Sequence, residues 1–192
     1  DLIEVTCGHT LVLFNSYADM SDLKERLLTA EFNYHLYSMG RGAVKTAGDF
    51  KALPGGMLLA AGAAWEGMDF PGDCVSLLII PRLPFPVPDA KSEQEREQYE
   101  NLSDFIKAVI VPDMQIKLRQ GFGRAIRTET DTCVIAILDE RANPEKGRYF
   151  EAVQKTLPQM PITNDLADVE EFIRLVKSES YFQEVAGSEC KK

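Results

Sequence analysis

The stretch Leu11-Val12-Leu13-Phe14-Asn15-Ser16-Tyr17-Ala18-Asp19-Met20 decides the fold class of this chain. Four apolar residues without a polar break read as a strand buried on both faces. Small polar residues follow, and then Met20, Leu23, Leu27 and Ala30 recur at helical spacing. Asp19 is placed as the helix cap, with Asp22 favourable at the positive end of the helix. The unit is strand, turn, helix. Similar apolar runs occupy residues 34–37, 57–61, 75–80 and 134–138. Five continuously apolar runs, rather than alternating ones, predict an α/β fold: a parallel sheet with helices on both faces, joined by right-handed crossovers.

Working outward, a short helix is expected over residues 47–53, stopped by Pro54-Gly55-Gly56. Pro84, Pro86 and Pro88 make residues 82–89 an extended loop. A charged helix over 92–107 is an excursion from the sheet, followed by helices over 113–127 and 146–157. Leu166, Val169, Ile173 and Val176 form one stripe of a final helix, and residues 188–192 are expected to be a disordered tail. Residues 1–160 read as one lobe, with the excursion at about 89–108, and residues 161–192 as a C-terminal helix and tail.

Composition narrows the function. The 192 residues are 45% hydrophobic and 27% charged, ordinary for one soluble globular domain. No apolar run is long enough to span a bilayer, and Asp1-Leu2-Ile3-Glu4 is not a signal peptide. The first residue is not Met, which reads as an excised fragment or a processed product. Cys7, Cys74, Cys133 and Cys190 form no Cys-x-x-Cys pair, and His9 and His35 are the two histidines, so a zinc or iron–sulfur site built from this chain is not expected. Cys133, in an apolar run, reads as a buried thiol; this cysteine usage fits a reducing cytoplasm. The net charge of −9 argues against strong nucleic-acid binding by this lobe alone.

Three segments carry chemistry. In Gln120-Gly121-Phe122-Gly123-Arg124-Ala125-Ile126-Arg127, helical spacing puts Gln120, Arg124 and Arg127 on one face. Two guanidiniums there suit a polyphosphate, since each forks onto two oxygens. A solvated basic face would explain the arginines, but not two glycines that each cost a helix about 1 kcal/mol. Those glycines suit close approach of another backbone or a ligand. The segment Gly62-Ala63-Ala64-Trp65-Glu66-Gly67-Met68-Asp69-Phe70-Pro71-Gly72 follows a strand, at the sheet edge where ligands bind in such folds. Glu66 and Asp69 are acceptors for a ribose, an arginine or a metal-bound water. A tight Gly/Pro loop with incidental acids explains the segment equally well. Phe14-Asn15-Ser16-Tyr17 joins small polar side chains to a helix N-terminus, a natural phosphate seat, with Tyr17 able to stack on a base. By itself this last segment is as well read as ordinary capping.

In this order the three segments resemble motifs IV, V and VI of superfamily 2 helicases, and among them the DinG/XPD-like family. Trp65 to Gly72 fits that family's Trp-Glu-Gly-x-Asp-x-Pro-Gly. Leu83-Pro84-Phe85-Pro86 resembles its "kLPF" loop, and Lys117 to Arg127 its motif VI, where Leu is commoner at position 125. Leu138-Asp139-Glu140-Arg141 resembles its Asp-x-Arg. The resemblance runs from about Leu11 to Arg141.

It implies the RecA-like second motor lobe of an ATP-dependent DNA helicase that walks along single-stranded DNA, 5′ to 3′ as in the family. ATP and Mg²⁺ would sit between this lobe and an N-terminal RecA-like lobe that binds most of them. Arg127 would be the arginine finger, with Arg124 and Gln120 beside it. Glu66, Gly67 and Asp69 would contribute to the nucleotide side and couple it to the track. Asn15, Ser16, Tyr17 and Trp65 are assigned to nucleic-acid contact, near the Pro84–Pro88 loop, and Asp139 to orienting a motif VI arginine. The family's iron–sulfur cysteines belong to the first lobe. No membrane partner is implied.

What the chain lacks is equally specific. Gly40-Arg41-Gly42-Ala43-Val44-Lys45-Thr46 misses the phosphate loop because Val44 stands where Gly must precede the lysine. Ile137-Leu138-Asp139-Glu140 looks like a Walker B strand but follows motif VI, the wrong order. The lobe alone is therefore expected neither to hydrolyse ATP nor to unwind DNA. Two rivals are a RecA-like scaffold that binds nucleic acid without a motor, and a nuclease-associated DinG homologue without unwinding activity. A self-contained Rossmann or flavodoxin-like enzyme ranks below them, because its first strand would need a glycine-rich turn.

Overall fold

Thr10–Phe14 form β1, and all five of its residues are buried. This is the middle strand of a five-stranded, all-parallel sheet in the computed structural model, which describes residues 1–30, 32–40, 44–53, 55–62, 64–67, 70, 72–128 and 130–187. The other strands are β2 (Leu36–Ser38), β3 (Met57–Ala61), β4 (Leu77–Ile80) and β5 (Val134–Ile137), in the order β2-β3-β1-β4-β5. Thr10 pairs with Met57 on one side and with Leu77 on the other, so the three central strands start level.

The continuous apolar runs have a simple cause: alternate residues feed two separate cores. Leu11, Leu13, Leu58, Ala60, Leu78 and Ile80 face one layer, with Trp65, Met114, Leu118 and Val153. Val12, Phe14, Leu59, Ala61, Leu77 and Ile79 face the other, with Met20 and the partly buried Leu23 and Leu27. The helices are α1 (Leu2–Val5), α2 (Tyr17–Thr29), α3 (Val44–Ala52), α4 (Ala64–Gly67), α5 (Ala90–Arg96), α6 (Leu102–Phe105), α7 (Val111–Ala125), α8 (Phe150–Thr156), α9 (Leu166–Val176) and α10 (Glu179–Gly187). The α/β class with helices on both faces is as expected.

Several local readings are corrected. Ser16, not Asp19, caps α2: its Oγ accepts the Asp19 amide at 3.1 Å, so Asp19 sits one turn inside. The predicted 92–107 helix is broken. α5 opens with a capping box on Asp89, ends at Arg96, and α6 restarts behind an Asn101 cap. A π-helical turn, Ile106–Ile110, then leads into α7, with Pro112 in its first turn. α7 ends at Ala125 because Ile126 is extended (φ −127°, ψ 111°), so Arg127 lies beyond the helix. The Pro54 stop and the 188–192 tail lie outside the described residues.

A helix that periodicity missed, α10, returns the chain to the start of β1. The Tyr181 hydroxyl donates to the Thr6 carbonyl, and its ring lies 4.6 Å from that of His9. Just there Cys7 and His9 hold positive φ angles (52° and 40°), a strained turn for non-glycine residues. The Lys177 side chain, only 1% exposed, donates to the Asp73 carboxylate and to the carbonyl and hydroxyl of Thr132. The C-terminal segment is thus bonded into the lobe. No described helix is long and apolar enough to cross a membrane.

Candidate functional site

The carboxyl ends of the parallel strands gather the segments singled out in sequence. β1 ends at Phe14 and delivers Asn15, Ser16 and Tyr17; β3 ends at Ala61 and delivers Gly62 and α4; β4 ends at Ile80 and delivers the proline loop; β5 ends at Ile137 and delivers Asp139 and Arg141. One sheet edge therefore carries these four exits, as expected for an open α/β sheet, and the end of α7 joins it through Trp65.

Trp65 ties this edge together from inside. It is 0% exposed, and its indole N–H donates to the Phe14 carbonyl at 2.8 Å. Lys117 lies over the ring, with Nζ 5.5 Å from its centroid. Gly121 of α7 faces it: a β-carbon there would stand 2.7 Å from Trp65 Cζ3. Contact of Trp65 with nucleic acid is therefore corrected, because its ring is enclosed and its one donor is engaged. The first glycine of motif VI answers to this ring rather than to a ligand. The second, Gly123, has nothing within 4 Å of the position of its β-carbon.

The arginines sit at the negative end of α7, where cations are favoured. Arg124 Nε donates to the Trp65 carbonyl at 3.2 Å, joining α7 to the segment after β3. Arg127 is exposed, beyond the helix, and its Nε donates back to the Gly123 carbonyl at 3.3 Å. Sharing one helical face is thus corrected for Arg127; the backbone beyond α7 sets its place. Asp131, which sequence reading passed over, fixes that backbone by accepting the amides of Arg127 (2.9 Å) and Thr128 (2.8 Å). These two bonds hold its carboxyl below the usual carboxylate range. The run Thr128 to Asp131, a polar turn directly after a helix, was the signal available. Gln120 is exposed on α7, and Gly67 is exposed with open space around its β-carbon position. Asp69 and the side chain of Glu66 lie outside the described residues.

On the β1 side, Tyr17 is 44% exposed and lies against Gly62, whose φ of +62° favours glycine. Ser16 uses its hydroxyl oxygen to cap α2. Asn15 turns its amide toward the proline loop: Nδ2 donates to the carbonyls of Leu83 (3.0 Å) and Arg82 (3.3 Å). Direct presentation of that amide to a phosphate is corrected, because both bonds run to the loop.

Asp139 is corrected too. Its carboxylate takes Nε and Nη2 of Arg141 (2.9 and 2.7 Å) and the Leu83 amide (2.8 Å), not a motif VI arginine. Burial alone would raise this carboxyl. Bonds from the Arg141 side chain, the Leu83 amide and the Arg141 amide outweigh it and hold the carboxyl at about 2.

A cleft of about 310 Å³ opens at the opposite, amino edge of the sheet, among His9, Lys51, Asp73, Cys74 and Tyr181. It adjoins the end of the segment after β3, since Lys51 lies over the Phe70 ring and Asp73 follows Gly72, but the residues at the exits of β1, β4 and β5 do not line it. Among the described residues no group of three or more His, Cys, Asp or Glu side chains is placed to hold a metal ion.

The family model of the helicase C-terminal domain matches residues 1–160. The chain belongs to this family. The helicase C-terminal domain is 34% identical over 178 residues to the ATP-dependent DNA helicase YoaA of Haemophilus influenzae, covering 90% of this chain and 27% of the relative. It is 31% identical over 181 residues to the ATP-dependent helicase DinG of Mycobacterium tuberculosis H37Rv, covering 91% and 26%. A solved structure titled XPD in the apo form superposes with a TM-score of 0.63 at 19% identity, over 81% of this chain and 32% of that one. The domain is thus similar in sequence to helicases of the DinG and YoaA kind and shares its fold with XPD. It spans about a quarter of the length of the curated relatives it matches.

Proposed function

We propose that this domain is the C-terminal motor lobe of an ATP-dependent DNA helicase, presenting Arg127 and Arg124 to ATP held mainly by an N-terminal RecA-like lobe. The observation that carries the reading is the joint made by Arg124 and Trp65. One guanidinium bonds the segment after β3 and belongs to the last turn of α7, where Gly123 leaves the surface open. A nucleotide on that surface meets two arginines, Arg127 with its backbone amide held by Asp131 and Arg124 with its side chain bonded to the Trp65 carbonyl. In phosphoryl transfer such groups offset the charge that develops on the γ-phosphate. Gln120, Gly67, Glu66 and Asp69 belong to the same nucleotide side, and Mg²⁺ comes with the nucleotide.

On this reading single-stranded DNA crosses the carboxyl edge past Tyr17 and Ser16, with Asn15 serving the loop behind them. Repeated closure of the two lobes moves the strand.

The test is ATP hydrolysis by this chain alone and with a separately purified N-terminal lobe, each with single-stranded DNA. Activity is expected only with both lobes, and Arg127→Ala lowers it by about 10³-fold. Turnover by the chain alone, or an Arg127→Ala lobe as active as the wild type, overturns the reading.

A further inference from the structure

We infer that Asp139 and Arg141 are positioning residues for the DNA track: they form a clasp that sets the proline loop after β4, and through it the response to single-stranded DNA. This inference rests on the function proposed above.

The geometry is centred on one peptide unit. The Leu83 amide donates to Asp139 Oδ2 at 2.8 Å, and the Leu83 carbonyl accepts Asn15 Nδ2 at 3.0 Å. Leu83 is thereby pinned from both sides, by the exit of β5 and by the exit of β1, and its side chain is fully buried. An exchanged Asn15 amide would set an oxygen against two carbonyls, so the direction of this bond is fixed. The next turn of loop is pinned by stacking. The Arg141 guanidinium lies 4.7 Å from the centroid of Phe85, and Phe85 lies 4.9 Å from Tyr149. Arg141 thus serves twice, as the ion-pair partner of Asp139 and as the plate over Phe85.

Beyond Phe85 the loop turns outward, and Val87 is 81% exposed. It has no regular hydrogen-bonded structure of its own, and three prolines remove amides that could supply any. Its position on the carboxyl edge is therefore dictated from outside, by the clasp. The Asp139 carboxylate is 7% exposed while the Arg141 side chain is 47% exposed, so the anion is set in the protein and the cation covers it from solvent. A substrate strand passing Ser16 and Tyr17 meets this loop next, because Asn15 joins the two directly.

The experiment uses the full-length protein that carries this lobe and an oligo-dT single strand. ATP turnover is measured with and without the strand, together with KM for ATP and the strand concentration giving half-maximal stimulation. Asp139→Asn keeps the shape and removes the charge; Arg141→Lys keeps a charge and removes the stacked plane. Asp139→Asn is expected to raise the half-maximal strand concentration about tenfold, the size of one lost charged hydrogen bond. Arg141→Lys raises it about threefold to tenfold. KM for ATP and strand-independent turnover stay within twofold, which a general loss of folding would not allow. Half-maximal concentrations within twofold of wild type in both variants, with stimulation of the wild type intact, overturn the clasp alone. Parallel loss of strand-independent turnover also overturns it. A wild type that oligo-dT does not stimulate overturns the proposed function, and the clasp with it.

Discussion

Trp65 occupies the space that a side chain at Gly121 would need: a β-carbon on that glycine would stand 2.7 Å from the ring. Two neighbouring glycines of one helix therefore obey different constraints. Gly121→Ala gains about 1 kcal/mol of helix propensity but must displace an enclosed indole, at a cost of about 1–3 kcal/mol. Gly123→Ala meets nothing within 4 Å and is expected to stabilise by up to about 1 kcal/mol. Urea midpoints should thus move down for the first variant and up for the second. Midpoints moving together would remove the packing explanation of Gly121.

Trp65 is the one tryptophan, so its fluorescence reports this joint without ambiguity. An enclosed indole bonded to the Phe14 carbonyl should emit at short wavelength and resist acrylamide quenching. Adding a single-stranded oligonucleotide should not quench it as base stacking would. Strong quenching on binding would return Trp65 to the DNA track.

Asp139 makes a pH-dependent contribution whose sign is fixed. Its folded pKa, about 2, lies below the ordinary carboxylate value of about 3.9, so the stabilisation is present above pH 4 and is lost as pH falls toward 2. The shift sets a ceiling of about 2 kcal/mol; Arg141 is half exposed, and solvent screening lowers this to about 1 kcal/mol. Asp139→Asn should be less stable than wild type at pH 7 by that amount, and the gap should close between pH 4 and pH 2. A gap that is constant with pH would show that the charge contributes nothing.

Lys177 ties the C-terminal segment to Asp73 and Thr132 with an enclosed ammonium group. In Lys177→Met the Thr132 carbonyl loses its donor, while Asp73, 55% exposed, rehydrates. The expected cost is about 2 kcal/mol, or roughly 4–8 °C in Tm for a chain of this size. Amide exchange at Thr6 to Thr10 should quicken as well, because Tyr181 holds Thr6 from the next helix. A melting point within 1–2 °C of wild type would count the pair as incidental.

The strands and the order of the motif segments were legible because they are local properties. A run such as Met57-Leu58-Leu59-Ala60-Ala61 names a doubly covered strand wherever it pairs, and the observed β3 has those bounds. The turn at Ser16 and the end of α7 were less legible. A serine and an aspartate three residues apart both make good caps, and the choice between them depends on where β1 leaves the sheet. Arg127 looked helical because spacing alone does not show Ile126 turning extended.

The sequence by itself determined the α/β class, the five strands and the family, since apolar period, punctuation and motif spacing are written along the chain. Only the tertiary structure decided what the motif residues touch. Trp65 faces inward because Phe14 and Gly121 close over it, Asn15 and Asp139 meet on Leu83, and Lys177 reaches Asp73. Each of these contacts joins residues more than 50 positions apart. Their register is set when the parallel strands align and bury both faces of the sheet, a step that no local pattern encodes.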